Sequence, residues 1–144
     1  MTHSSRLAVS VHTLAYLAFK AGQPVTSPEI AGSVGTNPVV IRRLLSALKR
    51  ARLVTAQKGA SGGFTLASAP ANITLLDIYR AVEPKEEQGL KRFAPCKACP
   101  VGSKIVSVLE GAFFKAQAGM EAELQKITLA EVERHVRGVC PNAA

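Results

Sequence analysis

A mainly α-helical fold with one small β-hairpin is what this chain predicts, on three observations. Apolar residues recur at helical spacing over most of the length, and a glycine-rich run between two short segments of alternating pattern interrupts them once. Only 5% of the 144 residues are aromatic and none is Trp, which suits a core packed with Ala, Val, Leu and Ile. Hydrophobic content of 47% places the chain outside the disordered class, and its length suits one compact domain with a helical appendage.

Leu7, Val11, Leu14 and Ala18 share one face of a first helix that Ser4 or Ser5 can cap and that ends near Ala21-Gly22. Thr26 or Ser27 caps a short second helix with Pro28 and Glu29 in its first turn, and the stretch from Gly32 to Gly35 closes it. Asn37 and Pro38 open a third helix by the same logic, with Ile41, Leu44, Leu45 and Leu48 as its buried stripe. Val39, Arg42, Arg43, Ser46, Lys49 and Arg50 form its other face. After Arg52 the period changes to two. A strand from Leu53 to Gln57, a tip from Lys58 to Gly63 and a strand from Phe64 to Leu66 make a hairpin. Two helices joined by a tight turn and followed by such a hairpin read as a winged helix-turn-helix.

Beyond the hairpin, Asn72 or Thr74 caps a fourth helix, with Thr74 and Asp77 in the capping-box relation and Ile73, Leu76, Tyr79 and Val82 available for packing. Pro84 stops it, and Pro95 and Pro100 keep the following polar segment irregular. A long helix then runs from Ser103 to about Lys126. Its stripe of Ile105, Val108, Leu109, Ala112, Phe113, Ala116, Met120 and Leu124 is too apolar to stand alone in water. Thr128 with Glu131 caps a last helix ending at Gly138.

The net charge of +8 is unevenly placed. Residues 1–76 hold eight Lys or Arg against the single acid Glu29, whereas residues 77–144 balance ten bases with nine acids. From Ile30 to Leu76, Arg42, Arg43, Lys49, Arg50, Arg52 and Lys58 meet no Asp or Glu, which is the electrostatic footprint of a polyanion-binding surface. A helix-turn-helix uses its second helix to enter the major groove of duplex DNA. Arg42 and Lys49, seven residues apart, share one face there, and Arg can pair with a guanine edge or with phosphate. In the wing, glycines allow close backbone approach and Lys58 can reach a narrow minor groove. The predicted DNA-contacting set is Ser27, Asn37, Val39, Arg42, Arg43, Ser46, Lys49, Arg50, Lys58 and Gly59. No nucleophile with base and orienter and no phosphate-cradling loop is present, so an enzyme is not expected. RNA is disfavoured as partner, because the basic helix has no interleaved aromatics for stacking.

The segment Leu7 to Phe19 is interrupted by Ser10, His12 and Thr13 and has no clean cleavage site after it, and no stretch approaches the roughly 20 apolar residues of a membrane span. A cytoplasmic protein away from membranes is therefore expected. An odd count of cysteines, Cys96, Cys99 and Cys140, fits reduced thiols rather than a disulfide scaffold. Cys96 and Cys99 are candidate sensor thiols, since Lys91, Arg92, Lys97 and Lys104 nearby favour the thiolate. His3, His12 and His135 are scattered and suggest no ligand set.

The run Thr36-Asn37-Pro38-Val39-Val40-Ile41-Arg42-Arg43, the Leu53-Val54 pair, Lys58-Gly59-Ala60-Ser61-Gly62-Gly63-Phe64-Thr65-Leu66-Ala67, and Ile73-Thr74-Leu75-Leu76-Asp77-Ile78 with Glu83 resemble the Rrf2-type family of winged-helix repressors typified by IscR, NsrR and CymR. The glycine-rich wing is the most specific part, and the order of elements agrees over nearly the whole chain. The resemblance implies a homodimeric regulator of transcription binding a palindromic operator in double-stranded DNA. It also implies a long helix that meets its counterpart through Ile105, Val108, Leu109, Ala112, Phe113, Ala116 and Met120. On this reading residues 1–83 form the DNA-binding domain, 84–102 a linker or sensor loop, and 103–144 the dimerisation helix and tail.

Metal is where the chain departs from that family. Its iron-sulfur sensors carry three cysteines in the loop before the long helix, whereas this loop has Cys96 and Cys99 only. A cluster or zinc site needs three or four ligands, so no cofactor is expected, and Cys99-Pro100-Val101-Gly102 resembles the branch without a cluster. The competing reading is a thiol-redox or metal-handling protein whose basic half docks on an anionic partner.

Overall fold

The computed structural model describes residues 4–84, 90 and 92–139, so His3, Lys91 and Cys140 lie outside the described residues. Six helices and one hairpin follow in the order α1 Ser5–Phe19, α2 Ser27–Val34, α3 Pro38–Arg50, β1 Val54–Gln57, β2 Gly63–Leu66, α4 Leu75–Val82, α5 Ile105–Lys126 and α6 Leu129–Val139. A short 3-10 turn, Pro70–Asn72, leads into α4.

Local chemistry sets the ends of these helices. Thr26, rather than Ser27, caps α2 by accepting from the Glu29 amide, and the Asn37 side chain accepts from the Val39 amide at 2.8 Å to start α3. The Thr74 hydroxyl accepts from the Asp77 amide at 3.1 Å while Asp77 Oδ2 accepts from the Thr74 amide at 2.9 Å, completing the expected capping box. Thr128 and Glu131 repeat that exchange at the head of α6.

The core gathers Leu14, Leu17, Val25, Ile30, Ile41, Leu45, Leu48, Ile73, Ile78 and Leu129, nearly all closed to solvent. α3 buries the stripe expected of it, Ile41, Leu44, Leu45 and Leu48, together with Ala47. α1 differs. It buries Ser10, Thr13, Leu14 and Leu17 and leaves Leu7, Val11 and Ala18 only half-buried. The reason is its central position: α2, α3, α4, α6 and β2 all pack on it, so one narrow stripe cannot serve every neighbour. Thr13 is tolerated inside because its hydroxyl donates to the Val9 carbonyl at 2.8 Å. In α4, Ile78 joins Leu76 and Val82 in the core, while Tyr79 is half-buried and turns its hydroxyl to Gln117.

Two helix ends depart from expectation. Helix α5 begins at Ile105, not Ser103, because residues 97–104 turn and Ser103 Oγ donates back to the Pro100 carbonyl at 3.0 Å instead of capping. Helix α6 runs through Gly138 to Val139, since a glycine ends a helix only by taking the left-handed conformation, which Gly138 does not adopt.

The C-terminal helix folds back on the N-terminal core. Its Leu129 is fully buried, and the Leu129 amide donates to the Ile73 carbonyl at 2.8 Å as the Leu75 amide donates to Ile127 at 2.9 Å. Between α1 and α6 lies an apolar cleft of about 620 Å³ lined by Val11, Ala15, Tyr16, Phe19, Val132 and Val136. Helix α5 is the exception to this compactness. Its 22 residues include no buried one, and it is held to α4 by an Arg80–Glu121 ion pair at 3.3 Å and by Gln117 donating to the Tyr79 hydroxyl at 3.1 Å.

Candidate nucleic-acid interface

The turn between α2 and α3 exists because Gly35 takes φ 78°, a left-handed value that costs a glycine little, while its amide and that of Thr36 both donate to the Ala31 carbonyl. Burial of Ile41, Leu44, Leu45 and Leu48 then fixes which way α3 faces. Val39, Arg42, Arg43, Ser46, Lys49 and Arg50 are all exposed on its outer side, and Asn37 is exposed at its start. This is the face read from sequence.

One member of the predicted set has a different position. Ser27 is only 8% exposed, and its hydroxyl accepts from Arg42 Nε at 3.2 Å. It anchors the arginine stem across the helix pair and leaves the terminal guanidinium nitrogens for another acceptor. Sequence spacing could not reveal this, because the two residues are 15 apart and meet only once α2 and α3 pack.

The hairpin is a two-stranded antiparallel sheet in the register Val54–Leu66, Thr55–Thr65, Ala56–Phe64 and Gln57–Gly63. Val25 adds a bridge to its outer edge, donating to and accepting from Phe64 at 3.0 and 2.8 Å, so the wing is tied to the segment before α2. Gly63 sits directly against the Val25 backbone, 2.6 Å from where a Cβ would be, so no other residue fits. The tip turns at Gly59, φ 107°, with the Gly62 amide donating to the Gly59 carbonyl at 3.0 Å. Lys58 and Gly59 are exposed there.

Arg52 lies outside the predicted contact set but belongs to the same basic surface. It joins α3 to the wing with φ 61°, a conformation that costs a non-glycine residue about 1 kcal/mol, and its side chain is exposed. A glycine would relieve that strain and remove a positive charge from the junction of recognition helix and wing. Its place in the acid-free run was the available signal.

The lone acid of the N-terminal half is already neutralised. Glu29 Oε1 lies 2.9 Å from Lys20 Nζ and accepts from the Tyr16 hydroxyl at 2.9 Å; the Lys20 ammonium first, then Tyr16, holds the Glu29 carboxyl below its ordinary value. Among the described residues, the ion pairs include none of Arg42, Arg43, Lys49, Arg50, Arg52 or Lys58. The basic face therefore keeps its charge for an external anion.

The predicted interhelical stripe on α5 divides in two. Ile105, Leu109, Met120 and Leu124 are half-buried, while Val108, Ala112, Phe113 and Ala116 are exposed. Phe114, which the stripe omitted, is the most exposed large apolar side chain among the described residues, at 76%. The two candidate thiols are exposed ahead of α5, and for Cys99 the predicted cause of acidity is corrected. Backbone amides of Gly102 and then Val101, and among the described residues not Arg92, Lys97 or Lys104, hold the Cys99 thiol below its usual value.

A basic helix behind a tight turn, with a glycine-tipped hairpin following it, defines a winged helix-turn-helix DNA-binding protein. The chain belongs to the Rrf2 family, whose model, described as an iron-dependent transcriptional regulator, matches residues 3–135. It is 41% identical over 133 residues to YwnA of Bacillus subtilis (strain 168), assigned as an HTH-type transcriptional regulator, which covers 92% of this chain and 98% of that protein. A crystal structure assigned as a DNA binding protein matches with TM-score 0.72 and 40% identity over 89% of this chain and 98% of that one. A transcriptional regulator from Lactobacillus plantarum matches with TM-score 0.81 and 30% identity, covering 92% of this chain and 89% of that one.

The family description raises iron, which cysteine-held clusters bind through three or four ligands. Among the described residues no three of His, Cys, Asp and Glu come together, and the described part of the loop before α5 holds two cysteines, Cys96 and Cys99. By themselves these two thiols are fewer than the three or four ligands a cluster takes. Nor, among the described residues, is any helix long and apolar enough to cross a membrane.

Proposed function

We propose that this chain is a homodimeric transcriptional repressor that seats α3 of each protomer in the major groove of a palindromic operator, with a thiol pair ahead of α5 as its input. The outward face of α3 carries this reading: five exposed Arg, Lys and Ser side chains, Arg42, Arg43, Ser46, Lys49 and Arg50, stand on one rigid helix with no acid among them. Asn37 and Val39 at the helix start lie where a recognition helix meets base edges, and Lys58 with Gly59 extends the surface toward the minor groove. Support for two protomers comes from α5, whose exposed Val108, Phe113 and Phe114 make an apolar ridge that a second copy would cover. Two such helix-turn-helix units read half-sites about 34 Å apart.

Binding to genomic duplex fragments across a salt series tests the reading. A specific target bound with a steep salt slope is expected, and failure to prefer any sequence at physiological salt would sink it. Arg42→Ala is expected to cost about 1–3 kcal/mol, or about five- to 150-fold, in operator affinity, and Lys58→Ala a smaller loss spread evenly over sequences. We also infer that no cluster is needed. Protein purified without oxygen should be colourless and free of iron and should still bind; a brown chromophore at stoichiometric iron would overturn that.

A further inference from the structure

We propose that Cys99 and Cys96 form a thiol pair oxidised by hydroperoxides, with Cys99 as the attacking sulfur and Cys96 as the resolving one. This deepens the thiol input of the regulator proposed above and rests on that reading only where DNA binding is concerned.

Three features of the loop carry it. First, Lys97 and Ala98 form a hydrogen-bonded turn, the Cys99 amide donating to the Cys96 carbonyl at 3.3 Å. Such a turn brings its end Cα atoms within about 7 Å, and a disulfide spans about 4.4 to 6.8 Å, so little backbone movement separates the dithiol from the disulfide. Second, both sulfurs belong to exposed residues that a small oxidant can reach. Third, the chain curls after Cys99, the Ser103 amide donating to the Cys99 carbonyl at 2.9 Å, and the backbone amides of Gly102 and then Val101 hold the Cys99 thiol below its usual value, which favours a thiolate at one cysteine of the pair. Gly102 makes this curl possible. Its α-carbon lies against the Cys96 carbonyl, and an added Cβ would collide with that oxygen.

The chemistry balances within the pair. The Cys99 thiolate attacks the terminal oxygen of the hydroperoxide, the O–O bond breaks, and the alkoxide or hydroxide leaving group takes a proton, giving a sulfenic acid on Cys99. The Cys96 sulfur then attacks the Cys99 sulfur, its proton and the hydroxyl leave as water, and the disulfide closes. Two electrons pass from the sulfurs to the peroxide.

The same turns run into α5. The Ser103 amide donates to the Cys99 carbonyl at 2.9 Å and the Ile105 amide to the Val101 carbonyl at 2.9 Å, so closing the disulfide pulls on the first turn of that helix. If α5 joins two protomers, the oxidised state binds DNA less tightly, by about fivefold or more.

The full chain carrying Cys140→Ser, which leaves only this pair, provides the test. Under limiting iodoacetamide, Cys99 is expected to be alkylated about tenfold faster than Cys96, and Gly102→Ala should bring the two rates together. One equivalent of hydrogen peroxide should remove both free thiols and yield an intramolecular Cys96–Cys99 disulfide by peptide mapping. With Cys96→Ser added, dimedone should trap the sulfenic acid on Cys99. Equal alkylation rates, a sulfenic acid trapped on Cys96 alone, or two thiols still free after peroxide would overturn the proposal. Duplex binding before and after oxidation separates the layers: a disulfide that forms in a protein binding no duplex in either state overturns the regulator reading and leaves the thiol chemistry standing. A disulfide that leaves operator affinity unchanged overturns the coupling to α5.

Discussion

Phe113→Glu combined with Phe114→Glu is expected to convert the proposed dimer into folded monomers. Both rings are exposed, at 55% and 76%, so neither belongs to the core and the far-ultraviolet circular dichroism should be unchanged. What the substitutions remove is the apolar ridge of α5, and what they add is like charge where two copies would face each other. Sedimentation velocity should show the wild-type chain at twice the mass of the variant. Because two linked helix-turn-helix units gain avidity that one unit lacks, operator affinity should fall by about a hundredfold or more. A wild-type monomer, or a variant that remains dimeric, would end the proposal that α5 joins two protomers.

Leu129→Ala is expected to cost about 2–5 kcal/mol in folding free energy, the range for emptying a fully buried leucine site. At about 3 °C per kcal/mol for a chain of this size, the midpoint should fall by roughly 6 to 15 °C. The position is informative because Leu129 opens α6 and is closed to solvent against the core of the N-terminal half, with its amide on the Ile73 carbonyl. Denaturant unfolding followed by circular dichroism measures it, and a loss under about 1 kcal/mol would mean that α6 contributes little to the core. The consequence reaches function. Leu129 and the Leu75–Ile127 hydrogen bond pin the end of α5 to the start of α4, so a shift of α5 is felt by the domain that carries α3.

Much of this architecture was legible in the residues. Helix boundaries at α2, α3 and α4 follow from Thr26, Asn37 and Thr74, whose side chains satisfy amides a few residues away, and such contacts depend on local spacing alone. The hairpin followed from its glycines and the change of period, and the outward face of α3 from the placement of its leucines. What escaped was set by distant partners. The buried face of α1 rotated to Ser10, Thr13, Leu14 and Leu17 because five elements surround it. Ser27 turned inward to Arg42, and Arg52 took a left-handed turn that its side chain would not suggest. Likewise the acidity of Cys99 comes from amides that curl back on it, where the sequence showed only nearby cations.

By itself, the sequence determined the class of fold, the basic surface and the family, because helical period, capping chemistry and an acid-free run of 47 residues are properties of neighbours along the chain. Only the tertiary structure decided which arginine is anchored, that α6 closes the N-terminal core, and that α5 stands with Phe113 and Phe114 in solvent. The physical reason is that burial depends on what arrives from elsewhere in the chain. An apolar stripe states that a helix needs a partner, and only the packing of the rest of the chain shows which part of the stripe is still without one.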